Sequence, residues 1–141
     1  MPQPIQLNIF DQPTLNTSKS IKDAMNYDVR ESNLSREQIV DRMNQLAERH
    51  GVCLTHGNSK RLTMEIFEKW INPTEITRQI PLKALPIFCA AVGRYSAIGE
   101  LAKPLGLQVI SHRDQKLLSW AEAKMAIKRH GQKIRKLEAE L

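Results

Sequence analysis

Residues 62–93, LTMEIFEKWINPTEITRQIPLKALPIFCAAVG, contain the pattern that decides the fold. Leu62, Phe67 and Trp70 are spaced so that their large apolar side chains lie on one face of a helix. Pro73 has a fixed φ and no backbone N–H, so it cannot continue that helix. The stretch therefore predicts a short amphipathic helix that ends before Pro73 in a polar turn.

A second apolar run follows this turn. It begins at Ile80 and Pro81 and ends at Val92 and Gly93. Glycine readily adopts the left-handed conformation that closes many helices, so Gly93 marks the C-cap of the second helix. Two short helices with a stop between them predict a small helical domain.

Composition narrows the class of protein. The chain has 141 residues, of which 41% are hydrophobic and only 5% aromatic, so one core must rest mainly on aliphatic side chains. This composition favours an all-α fold. No apolar run approaches the roughly 18 residues that cross a bilayer, and the N-terminus lacks the order of a signal peptide, so we expect a cytoplasmic protein without a membrane segment. The net charge of +6 permits a polyanionic partner without demonstrating one.

The first 17 residues predict an extended arm, because three prolines interrupt them. The one apolar cluster in this arm resembles the short motif by which bacterial replication proteins bind the sliding clamp. The residues that carry the resemblance are Gln6, Leu7, Ile9 and Phe10. The alternative is that these apolar side chains pack on their own domain or on a second subunit.

Two helices are predicted between the arm and the deciding stretch. The first runs from Ser18 to Ser32, with Ser18 or Ser20 as its cap. The second has a sharper start, because Ser35 and Gln38 form a capping box. Its inward face consists of Ile39, Val40, Met43, Leu46 and Ala47, and it ends near His50 and Gly51.

The connection over residues 51–61 contains two candidate sites. His50, Cys53 and His56 have spacings that could touch one zinc ion, but a structural site needs four ligands, so we interpret Cys53 as a small buried hydrophobe and predict no metal or other cofactor. Lys60 and Arg61 directly precede the helix at Leu62 and could contact phosphates. Their alternative role is that of ordinary solvated side chains.

Residues beyond Gly93 predict two more helices. The first covers Tyr95 to Leu105, and Gly106 to Ile110 then predict a short strand or an extended link. The last helix runs from Arg113 to Leu141 and carries eight lysines and arginines against four acidic residues. Its apolar residues recur at the a and d positions of a heptad, which predicts an oligomerisation element. These positions hold Trp120, Ala123, Ile127, His130, Ile134, Leu137 and Leu141, and we expect Trp120, Ile127, Ile134, Leu137 and Leu141 to form the contact.

Residues from about 20 to 106 resemble the lambda-repressor-like helix-turn-helix domain of phage repressors and related phage regulators. Leu62, Thr63, Phe67 and Trp70 match the pattern of its second motif helix, and the sequence LSREQIVDRM at residues 34–43 is similar to its first. The following helix matches through Pro81, Leu85, Phe88, Cys89, Ala91, Val92 and Gly93. The family's turn takes only a few residues, whereas eighteen residues separate Met43 from Leu62 here.

The resemblance implies that the helix beginning near Thr63 lies in the major groove of double-stranded DNA, with its first residues at the base edges. Together with the two preceding cations, the residues placed at the DNA are Lys60, Arg61, Thr63, Met64, Glu65, Ile66 and Lys69. The expected function is that of a sequence-specific transcriptional regulator of phage or mobile-element type that acts as a homodimer.

The complete prediction is an all-α protein of about five helices plus a long C-terminal helix. Its parts are an arm (1–17), a helix-turn-helix domain (18–110) and an oligomerisation or partner-binding helix (111–141). No phosphate loop, carboxylate pair or activated nucleophile is visible, so we expect a binding protein and not an enzyme. The alternative function is that of a protein-interaction adaptor or inhibitor that uses the head, the last helix and the arm without reading bases.

Overall fold

The structure, a computed structural model, describes residues 14–56 and 61–141. Its described part is all-α and contains no strand, which confirms the predicted fold class. Gly106 to Ile110 do not form a strand, and Gly106 closes a 3₁₀ turn in the left-handed conformation. The α-helices are α1 (Ser18–Glu31), α2 (Arg36–His50), α3 (Met64–Ile71), α4 (Leu85–Val92), α5 (Ser96–Ala102) and α6 (His112–Ala139). Five residues with predicted binding roles lie outside the described residues: Gln6, Leu7, Ile9, Phe10 and Lys60.

The chain divides into two compact units, Met1–Gln108 and Val109–Leu141. We call the described part of the first unit, residues 14–56 and 61–108, the head. The second unit consists of an extended start followed by α6, which Ser111 caps by accepting a hydrogen bond from the Asp114 N–H at 3.1 Å.

The core of the head is built from the apolar faces of α1 to α5. In α2, Ile39, Val40, Met43 and Ala47 are buried and Leu46 packs partly against them, which confirms the predicted inward face. The predicted capping box at Ser35 and Gln38 is formed, and Gly51 closes α2 in the left-handed conformation (φ 67°). These local signals determine where α2 begins and ends.

The deciding stretch forms α3, a 3₁₀ turn over Leu82–Ala84 and α4. Both helices are shorter than the predicted ones, because Leu62 lies before α3 and Ile80 and Pro81 lie before the 3₁₀ turn. Phe67 of α3 and Phe88 of α4 are fully buried, with ring centroids 6.3 Å apart. Gly93 closes α4 at φ 76°, which confirms the predicted C-cap.

Helix α1 differs from its prediction in two ways. Its N-cap is Thr17 and neither predicted serine caps it, since the Ser20 hydroxyl donates back to the Thr17 carbonyl. Two charged residues, Lys22 and Asp28, are buried on the face that also carries Met25. Lys22 is 1% exposed and Asp28 is 0% exposed, so each must find its partners inside the head.

Asp28 holds the start of α5. Its carboxylate accepts from the Ser96 N–H at 3.1 Å, from the Ser96 hydroxyl at 2.8 Å and from Arg94 Nε at 2.9 Å. The N-cap of α5 supplies no side-chain hydrogen bond of its own, so a side chain from α1 takes this role. The hydrogen bond to Asp28 raises the pKa of Arg94, whose guanidinium lies 5.5 Å from the centre of the Tyr27 ring.

Candidate nucleic-acid interface

Helix α3, the predicted recognition helix, is held at its N-terminal end by α2. The buried Asn44 side chain donates from Nδ2 to the Leu62 carbonyl at 3.0 Å and accepts from the Leu62 N–H at 2.7 Å. The Thr63 hydroxyl then caps α3 by accepting from the Ile66 N–H at 3.3 Å. These contacts fix the position from which α3 begins.

The C-terminal end of α3 is held by α1. The Lys22 ammonium donates to the carbonyls of Lys69, Trp70 and Arg78 over 2.5 to 3.2 Å. The Lys69 carbonyl needs such a donor because Pro73, four residues later, has no N–H to complete the helical hydrogen bond. A cation at a helix C-terminus is also favoured by the helix dipole.

The surroundings of Lys22 shift two pKa values. Burial lowers the pKa of Lys22, and the charge of Glu75 offsets part of this effect. The pKa of Glu75 is lowered by the hydroxyl and the N–H of Thr77, both of which donate to its carboxylate. The same turn, residues 72–81, thus places a charged network beside the end of α3.

The outward surface of α3 is mixed in charge. Glu65 is 79% exposed and accepts from Lys69 at 3.3 Å, while Glu68 pairs with Arg36 of α2. Met64 and Ile66 were expected to face the bases, but both are partly buried and pack against the core. Less of each side chain is therefore available to a ligand than the sequence indicates.

A groove of about 680 Å³ opens beside the start of α3. Residues from the 54–56 segment, from α3 and from the turn before α4 line it: Leu54, Thr55, His56, Arg61, Thr63, Ile66, Trp70, Thr77, Arg78, Gln79 and Pro81. None of these lining residues is acidic. Arg61 and Arg78 are exposed, and neither forms an ion pair with another described residue. The groove therefore offers two guanidinium groups, hydroxyls and an amide to an anionic ligand.

Sequence reasoning found only part of this groove. It identified Arg61 and Thr63, which the structure brings to the groove together with Ile66. It missed Arg78, Thr77 and Gln79, which lie in the polar turn between α3 and α4. The only signal for them in the sequence is a basic residue in a polar stretch, and that signal does not say which surface the turn covers.

The part of the chain that the structure describes does not support the zinc-site hypothesis. There, no three histidine, cysteine or acidic side chains come together in a way that could hold an ion, so His50, Cys53 and His56 do not form the cluster that their spacing allows. Among the described helices none has the combined length and apolar character of a membrane span.

Comparison of this chain with protein-family models, with curated proteins and with solved structures finds no match. The likeness to lambda-repressor-like regulators therefore rests on the quoted residues and remains a hypothesis. The described connection between α2 and α3 is also longer than the family's turn, since α2 ends at His50 and α3 begins at Met64.

Proposed function

We propose that this protein is a sequence-specific, double-stranded-DNA-binding transcriptional regulator of phage or mobile-element type that acts as a homodimer in the cytoplasm. The observation that carries the proposal is the groove, which Arg61 from before α3 and Arg78 from after α3 both line and which no acidic residue lines. Phosphates of a DNA backbone suit such a surface, because arginine binds phosphate oxygens with paired N–H donors.

In this proposal phosphate contacts come mainly from the groove. Arg61 and Arg78 neutralise two backbone phosphates. These contacts position α3 on the duplex without reading the sequence of the bases. Because α3 is held at one end by Asn44 and at the other by Lys22, it meets DNA as a preorganised element.

Base readout in this proposal falls to the exposed N-terminal part of α3. Glu65 can accept a hydrogen bond from the exocyclic amine of cytosine, and Thr63 can donate to either purine. The exposed parts of Met64 and Ile66 can contact a thymine methyl group. Lys69 is paired with Glu65 in the free protein and is released to a phosphate when Glu65 turns toward a base.

We expect the double substitution Arg61→Ala/Arg78→Ala to weaken DNA binding roughly tenfold or more and to lower the slope of log K against log salt by about 1.8, since two phosphate contacts are lost. Fluorescence anisotropy with a selected duplex at two salt concentrations measures both quantities. Selection of a bound duplex from a random pool shows whether a sequence preference exists.

The matched control is Arg30→Ala/Arg42→Ala, which removes two exposed cations of α1 and α2 that do not line the groove. It lowers the net charge equally and should change the affinity less than threefold, because only long-range attraction is lost, which is worth roughly a few tenths of a kcal/mol per charge. Equal losses in both double variants, or no binding of any duplex by the wild type, would refute a DNA contact at the groove.

A second candidate function is that of a protein-interaction adaptor or inhibitor. It is favoured by α6, a fully described helix in which no residue is buried although many of its residues are apolar. The form of this hypothesis that uses the arm predicts capture of a bacterial sliding clamp through Gln6, Leu7, Ile9 and Phe10. Pull-down with the full chain and with Phe10→Ala tests it, and equal recovery of clamp by both chains would eliminate the clamp as partner.

A further inference from the structure

Helix α6 carries a row of exposed apolar side chains that His130 interrupts once. We propose that this row is one half of a parallel, in-register two-stranded coiled coil formed with a second copy of the chain, and that a histidine layer at its centre makes this dimer weaken in acid. The inference rests on the dimer in the proposed function, but it does not depend on DNA binding.

The spacing of the row indicates that its packing partner is a second helix. Trp120, Ile127 and Ile134 are seven residues apart, and Leu137 stands three residues after the last of them. A repeat of 3.5 residues keeps an apolar seam facing a partner helix when two helices supercoil, whereas a helix lying on a flat surface follows the 3.6-residue period. Trp120 is 60% exposed and Ile127 is 70% exposed, so the other described residues leave most of both side chains uncovered.

The helix has a competing apolar face, but that face is too short. Leu118, Ala121 and Met125 are spaced by three and four residues on another side of α6. Lys128 and Arg129 follow Met125 and end this row after about two turns. The seam through Trp120 and Leu137 continues through the rest of the 28-residue helix, so it is the face that can bury the larger area.

Charges beside the seam favour the parallel orientation. In a parallel pair, the residue before each a position faces the residue five places later on the partner helix. This rule places Lys133 opposite Glu138 of the partner subunit, twice by symmetry, and brings no like charges together. The antiparallel register that pairs Trp120 with Leu137 of the partner subunit brings no opposite charges together.

The central layer of the parallel dimer contains His130 from each copy. Its neighbours along the seam are Ile127 and Ile134, the adjoining flank position is Gly131, and Lys133 stands beside the seam three residues later. In the single chain the His130 side chain is exposed. In the dimer two protonated rings would face each other in an apolar layer beside two lysines, so protonation is disfavoured.

The sign of the pH effect follows from proton binding. Below neutral pH the separated chains bind more protons than the dimer, so acid shifts the equilibrium toward separate chains. The dimer contains two such histidines, so their effects on the dissociation constant multiply. We therefore expect the dimer dissociation constant to rise roughly tenfold or more between about pH 7.5 and about pH 5.5.

Sedimentation equilibrium of the full chain at these two pH values measures the dissociation constant. The wild type should be dimeric at the higher pH, Ile127→Asp should be monomeric, and Met125→Asp, on the competing face, should remain dimeric. His130→Leu should dimerise at least as tightly and lose most of the pH dependence. A monomeric wild type would overturn the coiled coil, and an equal pH response of wild type and His130→Leu would overturn the histidine layer.

Orientation is tested by disulfide formation in a chain with Cys53→Ser and Cys89→Ser. Leu137→Cys alone should oxidise to a covalent dimer, because both copies of this position meet in a parallel pair. If instead the dimer forms disulfides only when Trp120→Cys and Leu137→Cys chains are mixed, the helices are antiparallel. Failure of DNA binding by a wild type that is dimeric would refute the proposed function and leave the coiled coil intact.

Discussion

Lys22→Met will lower the free energy of unfolding by about 3 kcal/mol, because the buried or partly buried carbonyls of Lys69, Trp70 and Arg78 lose their common donor. Two effects oppose each other here. The substitution removes the penalty of burying an ammonium group, which is also the cause of the lowered pKa of Lys22. Each carbonyl left without a donor inside the protein destabilises the folded state by about 1 to 3 kcal/mol. The loss of three hydrogen bonds therefore outweighs the benefit of no longer burying an ammonium group.

Urea unfolding of the full chain, followed by circular dichroism, measures this change. The control is Lys19→Met, an exposed position one turn earlier in α1, for which the change should stay within about 0.5 kcal/mol. If Lys22→Met unfolds at the same urea concentration as Lys19→Met, the three hydrogen bonds contribute no net stability and the described role of Lys22 is wrong.

Lys22→Met should also affect the candidate interface. Lys22 joins the end of α3 to the Arg78 carbonyl, so its loss frees both the helix and the turn that carries the Arg78 side chain. We therefore expect Lys22→Met to weaken DNA binding even at temperatures where the protein is fully folded. In Lys22→Met, hydrogen exchange should show that residues 69–78 open faster than α2 does.

Asp28→Ala is the other substitution with a large expected effect, a loss of about 3 kcal/mol in the free energy of unfolding. Asp28 is completely buried and accepts three hydrogen bonds, two of them from Ser96 at the start of α5. Removing it leaves the Ser96 N–H without a partner and takes away a charged acceptor. The loss stays near the lower end of the range for buried ion pairs because Arg94 is 39% exposed and can return to water.

Differential scanning calorimetry of the full chain tests this value, with Asp23→Ala on the exposed side of α1 as the matched control. Asp28→Asn keeps the size of the side chain and part of its hydrogen bonding, so it should lose less stability than Asp28→Ala. If the alanine and asparagine variants are equally destabilised, the negative charge of Asp28 and not its capping of α5 accounts for the lost free energy of unfolding. A change of under 1 kcal/mol in Asp28→Ala would contradict the capping role altogether.

Most of the fold could be predicted because its signals are local. Ser35 and Gln38 lie within one turn of the helix that they cap, and Gly51 and Gly93 end helices through their own φ angles. The apolar spacing of α2 requires only that one face be turned inward. Leu62 and Pro81 were wrongly predicted to lie within helices. Both are buried or partly buried just before a helical segment, and apolar spacing does not distinguish such a residue from one inside the helix.

The candidate interface was predictable only in part. Arg61 precedes α3 directly, so its place near the helix start follows from the chain itself. Arg78 reaches the same groove because the turn after α3 folds back past the 54–56 segment, which depends on the packing of α4 against α2. Met64 and Ile66 were expected to point outward since the pattern of Leu62, Phe67 and Trp70 left them on another face. The core is wide enough to cover part of both side chains.

The sequence by itself determined that this protein is helical, where most helices begin and end, and that its last helix carries a heptad row. Tertiary structure alone decided that Lys22 and Asp28 are interior groups, and that Asn44 pairs with the backbone of Leu62. The physical reason is range. Helix periodicity and caps act within a few residues, whereas Lys22 and Asp28 meet partners 47 to 68 residues away, whose positions are set by how the helices pack.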